Sequence, residues 1–309
     1  MPIQQPFHEG ELEVQARAGE GEVARHNGRA IATTIVRGAI PFLAAQRFCV
    51  LATTDAGGQP WASVLFGDRG FIAANETALE IDLARAAVVA DDPLWENLRD
   101  SAAPMGARVG LLALEPETRR RLRVNGRARL EAGRLRVAVE ESFPNCPKYI
   151  QRRALEAFER APDAPAAPAR TGTTLGAEER AAIESADTFF IASAHPVRGL
   201  DASHRGGNPG FVRASPTRLR VPDYPGNGMF QTLGNLAVDA RAGLVFVDLE
   251  RARTLQLVGR VAVRWNEEPD GLVTGGTGRS WELAVEGFRS ATIPARLVSR
   301  WVDASPYNP

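Results

Sequence analysis

The sequence predicts a mainly β, α+β protein made of two small barrels, each closed or nearly closed and carrying a few helices. Three observations predict it. Residues 107–127 (ARVGLLALEPETRRRLRVNGR) and 240–260 (ARAGLVFVDLERARTLQLVGR) are identical at 9 of 21 positions without a gap, where chance gives ~1–2. Apolar and polar residues mostly alternate, the period of half-buried antiparallel strands. Gly126 and Gly259 fall in mid-strand at matching places, as at a bulge or a barrel bend. The unit occurs twice, so a solenoid is excluded. The chain divides into an N-terminal copy over 1–160 with a helical N-terminal extension, a linker over 161–176, and a C-terminal copy over 177–309.

In the first copy, GAIPFLAAQ (38–46) is a short apolar helix feeding the strand FCVLAT (48–53). Trp61-Ala62-Ser63 lies on the next strand. Leu79, Ile81 and Leu83 alternate with Glu80 and Asp82. GLLALE (110–115) is continuously apolar, as a central strand is. Leu122 and Val124 then alternate with Arg121, Arg123 and Asn125, and Leu135, Val137 and Val139 follow the same period. PKYIQRRALEAFER (147–160) reads as a helix with Ile150, Ala154, Leu155 and Phe158 on one face, Asn145 as its cap and Pro147 in its first turn. APDAPAAPARTGTTLG (161–176) has linker composition.

The second copy opens the same way. The helical run AEERAAIESA (177–186) feeds the strand TFFIAS (188–193), and Asp201-Ala202-Ser203 corresponds to Trp61-Ala62-Ser63. TRLRVP (217–222) is a strand. GMFQTLGNLAVD (228–239) is a helix with Phe230, Leu233, Leu236 and Ala237 on one face. GLVFVDLE (243–250) is the second central strand, and Leu255, Leu257, Val261, Val263 and Trp265 alternate after it.

Composition bounds the function. The 309 residues carry a formal net charge of +0, 44% hydrophobic and 24% charged residues, a soluble globular balance without global attraction to nucleic acid or anionic lipid. No apolar run reaches the ~20 residues that span a membrane. The start lacks the basic-then-apolar order of a secretory signal, so a cytoplasmic location is expected. Cys49 and Cys146 are the two cysteines. They form no metal motif, so no metal is expected. Lys148 is the sole lysine, which disfavours Schiff-base chemistry.

DASHRGGNPGF (201–211) sets His204 and Arg205 beside two glycines, and the later segment offers a helix start at Asn227-Gly228. A guanidinium, bare backbone and a helix amino end together suit an anion. Asp223 and Tyr224 read equally as turn residues, and His204 as a packed histidine. His195, before a proline, reads as structural. His8 and His26 carry no visible site. The run Arg119-Arg120-Arg121 reads as a solvated loop. Cys146 precedes Pro147 with no histidine near in sequence, so catalysis there ranks low, and a contribution to a site between the barrels stays open.

The segments FHEGELEVQ (7–15), GQPWASVLFG (58–67), RRRLRVNGRA (119–128), FPNCPKYIQRR (143–153), DASHRGGNPGFV (201–212) and LRVPDYPGNGMFQTLGNL (219–236) resemble the pyridoxamine 5′-phosphate oxidase-related, FMN-binding split-barrel proteins, in particular the larger bacterial members with a doubled barrel. The resemblance implies two tandem split barrels with FMN bound non-covalently between them. It points to Ser203, His204, Arg205, Gly206, Gly207, Phe211 and Val212 along the flavin, to Pro222, Asp223, Tyr224, Asn227 and Gln231 near the phosphate, and to Arg253 and Thr254 reaching across from a neighbouring barrel. Copy one has SVLFG where copy two has SHRGG, so the main grip is expected on the second barrel. The lysines with which the oxidase binds phosphate and its Arg-Leu-x-Pro ending are not matched, so pyridoxamine phosphate is not the expected substrate. The expectation is an FMN-dependent oxidoreductase acting with an unidentified small substrate or electron donor, with no catalytic residue assigned. The alternatives are a carrier of flavin, deazaflavin or haem, and an empty barrel used for association. A homodimer and an intramolecular pseudo-dimer of barrels both stay open.

Overall fold

The computed structural model describes residues 5–87, 89–99, 105–160, 168–266 and 271–309. Eight strands form the first sheet: β1 (Phe48–Thr54), β2 (Pro60–Gly67), β3 (Ile72–Ala74), β4 (Ala78–Asp82), β5 (Ala86–Ala87), β6 (Ala107–Glu115), β7 (Arg120–Glu131) and β8 (Arg134–Pro144), in the order β3-β4-β8-β7-β6-β1-β2-β5. After β9 (Arg152–Arg160) and the short β10 (Arg170–Gly172), a second sheet contains β11 (Thr188–His195), β12 (Gly199–Gly206), β13 (Arg213–Ala214), β14 (Arg218–Pro222), β15 (Arg241–Asp248), β16 (Arg253–Trp265) and β17 (Arg279–Thr292). Its order, β12-β11-β15-β16-β17-β14-β13, is that of β2-β1-β6-β7-β8-β4-β3 in the first, with β5 lacking a counterpart and β10 pairing off the path with β17, and all pairs are antiparallel. The end strands of each path do not pair with each other, so each sheet is an open, split barrel. The six α-helices among the described residues are α1 (Glu9–Ala18), α2 (Gly21–Gly28), α3 (Ile40–Ala44), α4 (Pro93–Arg99), α5 (Ala177–Ser185) and α6 (Gln231–Val238). The mainly β, α+β class expected from the sequence is the class observed. Among the described residues no helix is long and apolar enough to cross a membrane.

The continuously apolar strands are explained by burial on both faces. On β1, Cys49 and Leu51 enter the core of the first sheet, while Phe48, Val50 and Ala52 enter a separate cluster with Phe190, Ala192, Ala202 and Val245 of the second sheet. The second sheet has its own core around Phe189, Ile191, Leu244, Leu257 and Trp281. Gly126 and Gly259 both stand where the register shifts, in the β7–β8 and β16–β17 pairs, so both are bulge residues as expected.

Two further glycines bring the sheets together. A Cβ on Gly110 of β6 would lie 2.6 Å from the Leu200 carbonyl oxygen and 2.9 Å from the Ala202 amide nitrogen of β12. A Cβ on Gly243, its counterpart on β15, would lie 2.3 Å from the Pro60 carbonyl oxygen of β2. Backbone therefore meets backbone at both places, β12 against β6 and β7, β2 against β15 and β16.

Three expectations need correction. Residues 147–160 are not a helix: Tyr149 has a positive φ of 67°, and β9 pairs antiparallel with the C-terminal β18 (Ala295–Asp303). The spacing of Leu155 and Phe158 suits a helix, but a distant strand completes the backbone hydrogen bonds instead and Leu155 joins Ala295 and Leu297 in the cluster between the sheets. Helix α6 starts at Gln231, after Phe230 in left-handed conformation, and Ala237 is exposed. Of the expected linker, 161–167 lies outside the described residues, and 170–172 is a strand paired with β17.

Replacing Gly110 by Val is expected to lower stability by roughly 1–3 kcal/mol, the cost of overpacking a closed contact. Gly38→Ala, where nothing lies within 4 Å, is the neutral control. Chemical denaturation checks both, and equal midpoints for the two variants would refute the backbone contact.

A candidate anion site between the two sheets

Among the described residues strand β12 is an edge strand, paired only with β11. Ser203, His204 and Arg205 stand opposite Ile191, Phe190 and Phe189, so alternate side chains leave on opposite faces. His204 goes with Phe190, whose ring it meets edge-on at 5.8 Å. Across the contact made by Gly110, β7 of the first sheet brings Arg121 and Arg123 to the same place. Segment 145–149 and turn 224–227 cover it, joined by Asn227 Nδ2 to Asn145 Oδ1 at 2.8 Å and by Tyr149 Oη–H to the Pro225 carbonyl at 2.8 Å.

The result is a crevice of about 100 Å³. Ten of the fourteen residues expected from the sequence line it: Ser203, His204, Arg205, Gly206, Phe211, Pro222, Asp223, Tyr224, Asn227 and Gln231. Four do not. Val212 is fully buried in the core of the second sheet. Gly207 uses its carbonyl to accept from Gln151 Nε2. Arg253 and Thr254 line a different, larger cavity. Asn227 is not in a helical first turn; its Oδ1 accepts from the Met229 amide.

Sequence reasoning missed the cations from the first sheet. Arg121 is no solvated loop residue: it lines the crevice, and its Nη1 donates to His204 Nδ1 at 3.2 Å. Arg119 of the same run is tied to the Ile150 carbonyl and to Asp303, and only Arg120 is exposed. Arg123, buried, donates to Ser203 Oγ and contacts Asp201 and Gln231, each at 3.4 Å. The repeat held the signal. Thr254 corresponds to Arg121 in the aligned segments, and a strand that crosses to the other sheet serves the other copy's site.

Charge is unevenly matched. Arg121, Arg123, Lys148 and Arg205 line the crevice with one carboxylate, Asp223. Arg205 pairs with Asp223 at 3.0 Å, and Asp223 also holds Arg279 at 3.0 Å. Asp201 contacts Arg123 and is itself held by Asn125 at 2.9 Å and Asn235 at 3.2 Å. Burial, with the neighbouring Arg123 and Arg205 guanidiniums, presses the Arg121 pKa down to about 9. Burial also lowers Arg123. His204 lies well below its ordinary value, through burial and then the two arginines. It is neutral, and because a guanidinium can only donate, Nδ1 accepts and Nε2 carries the proton. Six buried polar atoms of the lining have no partner: Nε of Arg121, Arg123 and Arg205, His204 Nε2, Gln231 Nε2 and Asn145 Nδ2. All six are nitrogens, and unpaired buried donors of this kind are costly unless an acceptor reaches them.

The counterpart in the first copy is filled from within. Ser63, which corresponds to Ser203, donates to Asp92 Oδ1 at 2.5 Å, and Gln256, which corresponds to Arg123, donates to Asp92 Oδ2 at 3.3 Å. Arg289 supports Gln256 at 3.1 Å. An internal carboxylate occupies the position that the second copy leaves to arginines.

His195, expected to be structural, accepts the Val197 and Arg198 amides on Nδ1 and bonds Glu9 through Nε2. His8 caps α1, and its ring centroid lies 4.2 Å from that of His195 with the planes tilted by 38°. Cys49 is fully buried, and Cys146 lines the crevice.

No protein-family model matches the sequence, and no curated protein matches it. Among solved structures it is similar to a Clostridium acetobutylicum protein related to general stress protein 26 of B. subtilis (pyridoxinephosphate oxidase family), at 13% identity and TM-score 0.29 over 40% of this chain and 92% of that one. It is also similar to an FAD-binding protein from Mesorhizobium loti, at 13% identity and TM-score 0.27 over 40% and 97% of the two chains. A third is the FAD-binding protein from Mycobacterium smegmatis, at 14% identity and TM-score 0.24 over 37% and 98%. At such scores the likeness decides neither ligand nor activity.

Helix α1 lies against α6 behind the crevice, with Glu11 packed on Gly234. Burial raises the Glu11 pKa from 4.5 to about 8. A carboxyl whose folded pKa is raised contributes stability that is complete below its unfolded pKa and lost as pH climbs to the folded one. Stability should therefore fall between pH 4.5 and 8. Glu11→Gln should flatten that fall and be more stable at pH 9 by an amount on the order of 3 kcal/mol. Denaturation midpoints across pH test this; parallel profiles for the two proteins would contradict it.

Proposed function

We propose that the chain is a flavoprotein of two fused split barrels, residues 1–160 and 177–309, which binds the phosphate of FMN in the crevice between β12 and β7 and acts as an oxidoreductase on a small substrate. The observation that carries this reading is the set of six unpartnered buried nitrogens around one crevice, three of them on guanidiniums. Four cations line the crevice and two carboxylates meet them, Asp223 in the lining and Asp201 behind Arg123, an excess that a phosphate ester of roughly two negative charges would balance. Guanidinium forks match phosphate oxygens geometrically. The space of about 100 Å³ suits a phosphate group and not a whole flavin, so the ring lies beyond it. The sequence motifs of the second copy supply the flavin part of the reading.

When bound, the flavin supplies hydride or electron transfer. The chain's own residues bind and orient. Arg121 and Arg123 give charge, Asp201 fixes Arg123, and Ser203, held by Thr232 Oγ1 at 2.8 Å, gives a hydroxyl. Arg205 must share its charge between Asp223 and the ligand. The neutral His204 accepts from Arg121 on Nδ1 and so holds that guanidinium in place. Because Asp92 fills the first copy's counterpart, the chain takes one flavin and not two.

FMN titration should give one site per chain. Arg121→Ala and Arg123→Ala should each weaken it by about tenfold to a hundredfold, the usual worth of a hydrogen bond to a charged group, and Arg205→Ala should weaken it less. Riboflavin, without the phosphate, should bind the wild type as weakly as FMN binds the variants. Unchanged FMN affinity in both first-sheet variants would end the proposal. Bleaching of the bound flavin by a nicotinamide cofactor, followed by reoxidation in air, separates an oxidoreductase from a carrier.

A further inference from the structure

We infer that a second cavity, of about 880 Å³, is a binding site for an uncharged, flat aromatic molecule carrying a carbonyl acceptor. This does not depend on what the crevice holds. The cavity opens where the two sheets face each other, and both contribute walls: Phe48, Val64, Phe66 and Leu114 from the first, Phe190 and Phe246 from the second. Aromatic rings contributed by both sheets suit a flat apolar ligand, since offset or edge-on ring contacts add to burial.

The cations at the rim are spent. Arg153 pairs with Asp187, Arg251 with Asp248 and Arg253 with Glu178, while the carboxylate of Glu250 is exposed to water. An anionic ligand would have to break one of these pairs, and a neutral one would not.

Two polar atoms of the lining remain unpartnered although buried, Thr254 Oγ1 and His204 Nε2. Thr254 can donate its hydroxyl proton. His204 stands in the wall between cavity and crevice. Its Nδ1 accepts from Arg121, so Nε2 bears a proton. Two buried donors in an apolar wall select for an acceptor on the ligand, because a pure hydrocarbon would leave both unmatched.

The test uses the full chain with 9-fluorenone and fluorene, one flat skeleton with and without a carbonyl, measured by equilibrium dialysis. Both should saturate, with fluorenone about fivefold tighter, the worth of one neutral hydrogen bond. Thr254→Val should narrow that preference and leave fluorene unchanged. Val64→Trp, which fills the cavity, should reduce binding of both at least tenfold while FMN affinity stays as it was. Should that variant misfold, Ala182→Trp at the exposed mouth on α5 serves the same purpose. Absence of saturable binding, equal affinity for the two probes, or indifference to both tryptophans would overturn the inference. So would competitive expulsion of fluorenone by FMN, which would make the cavity the seat of the flavin ring and not of a second ligand.

Discussion

Two glycines hold the molecule's organisation in place. Gly110 lets β6 lie against the backbone of β12, and Gly243 lets β15 lie against that of β2. A Cβ at either place would lie 2.6 Å or 2.3 Å from a facing carbonyl oxygen, so the backbones would have to move apart. Everything between the sheets follows from this closeness: the apolar cluster around Phe48, Phe190 and Val245, the larger cavity, and the meeting of Arg121 and Arg123 with Ser203 and His204. The crevice belongs to neither sheet alone.

The same closeness sets the electrostatics. Three guanidiniums are brought together, and burial pulls the Arg121 pKa down to about 9 while leaving it cationic at neutral pH. Asp201 and Asp223 relieve part of the repulsion and orient Arg123 and Arg205. The remainder is an unspent preference for an anion. In the first copy the same geometry is satisfied internally, by Asp92 accepting from Ser63 and Gln256. One architecture thus yields a filled polar knot on one side and a receptive crevice on the other. Only a handful of side chains separate the two outcomes: Gln256 for Arg123, Thr254 for Arg121, and Val64 and Leu65 for His204 and Arg205.

Much of the fold was legible in the order of residues. The period of two, the matching segments at 107–127 and 240–260, and the bulge glycines all carry local information, and each matches a strand or bulge in the structure. Ten of the fourteen expected site residues share one crevice because they belong to short stretches around β12 and the turn that follows it, the end of β14 and its turn, and the start of α6. The start of α6 was missed locally, at the left-handed Phe230; the larger failures are non-local. Residues 152–160 have a helical spacing of apolar side chains but become a strand because β18, more than a hundred residues later, completes their hydrogen bonds. Arg253 and Thr254 line the larger cavity, whose wall also includes His204, and periodicity does not tell which sheet a crossing strand serves.

By itself, then, the order of residues determined strand period, bulge positions, the doubling of a motif, and the concentration of turn and cationic residues around 201–231, because these depend on neighbours within a few positions. Only tertiary structure decided which arginines are buried, which carboxylates neutralise them, and which of two corresponding sites stays receptive. Those outcomes depend on desolvation and on partners dozens to hundreds of residues away, such as Arg123 with Ser203 and Gln256 with Asp92. A local pattern cannot encode a charge's surroundings until the chain has brought them together.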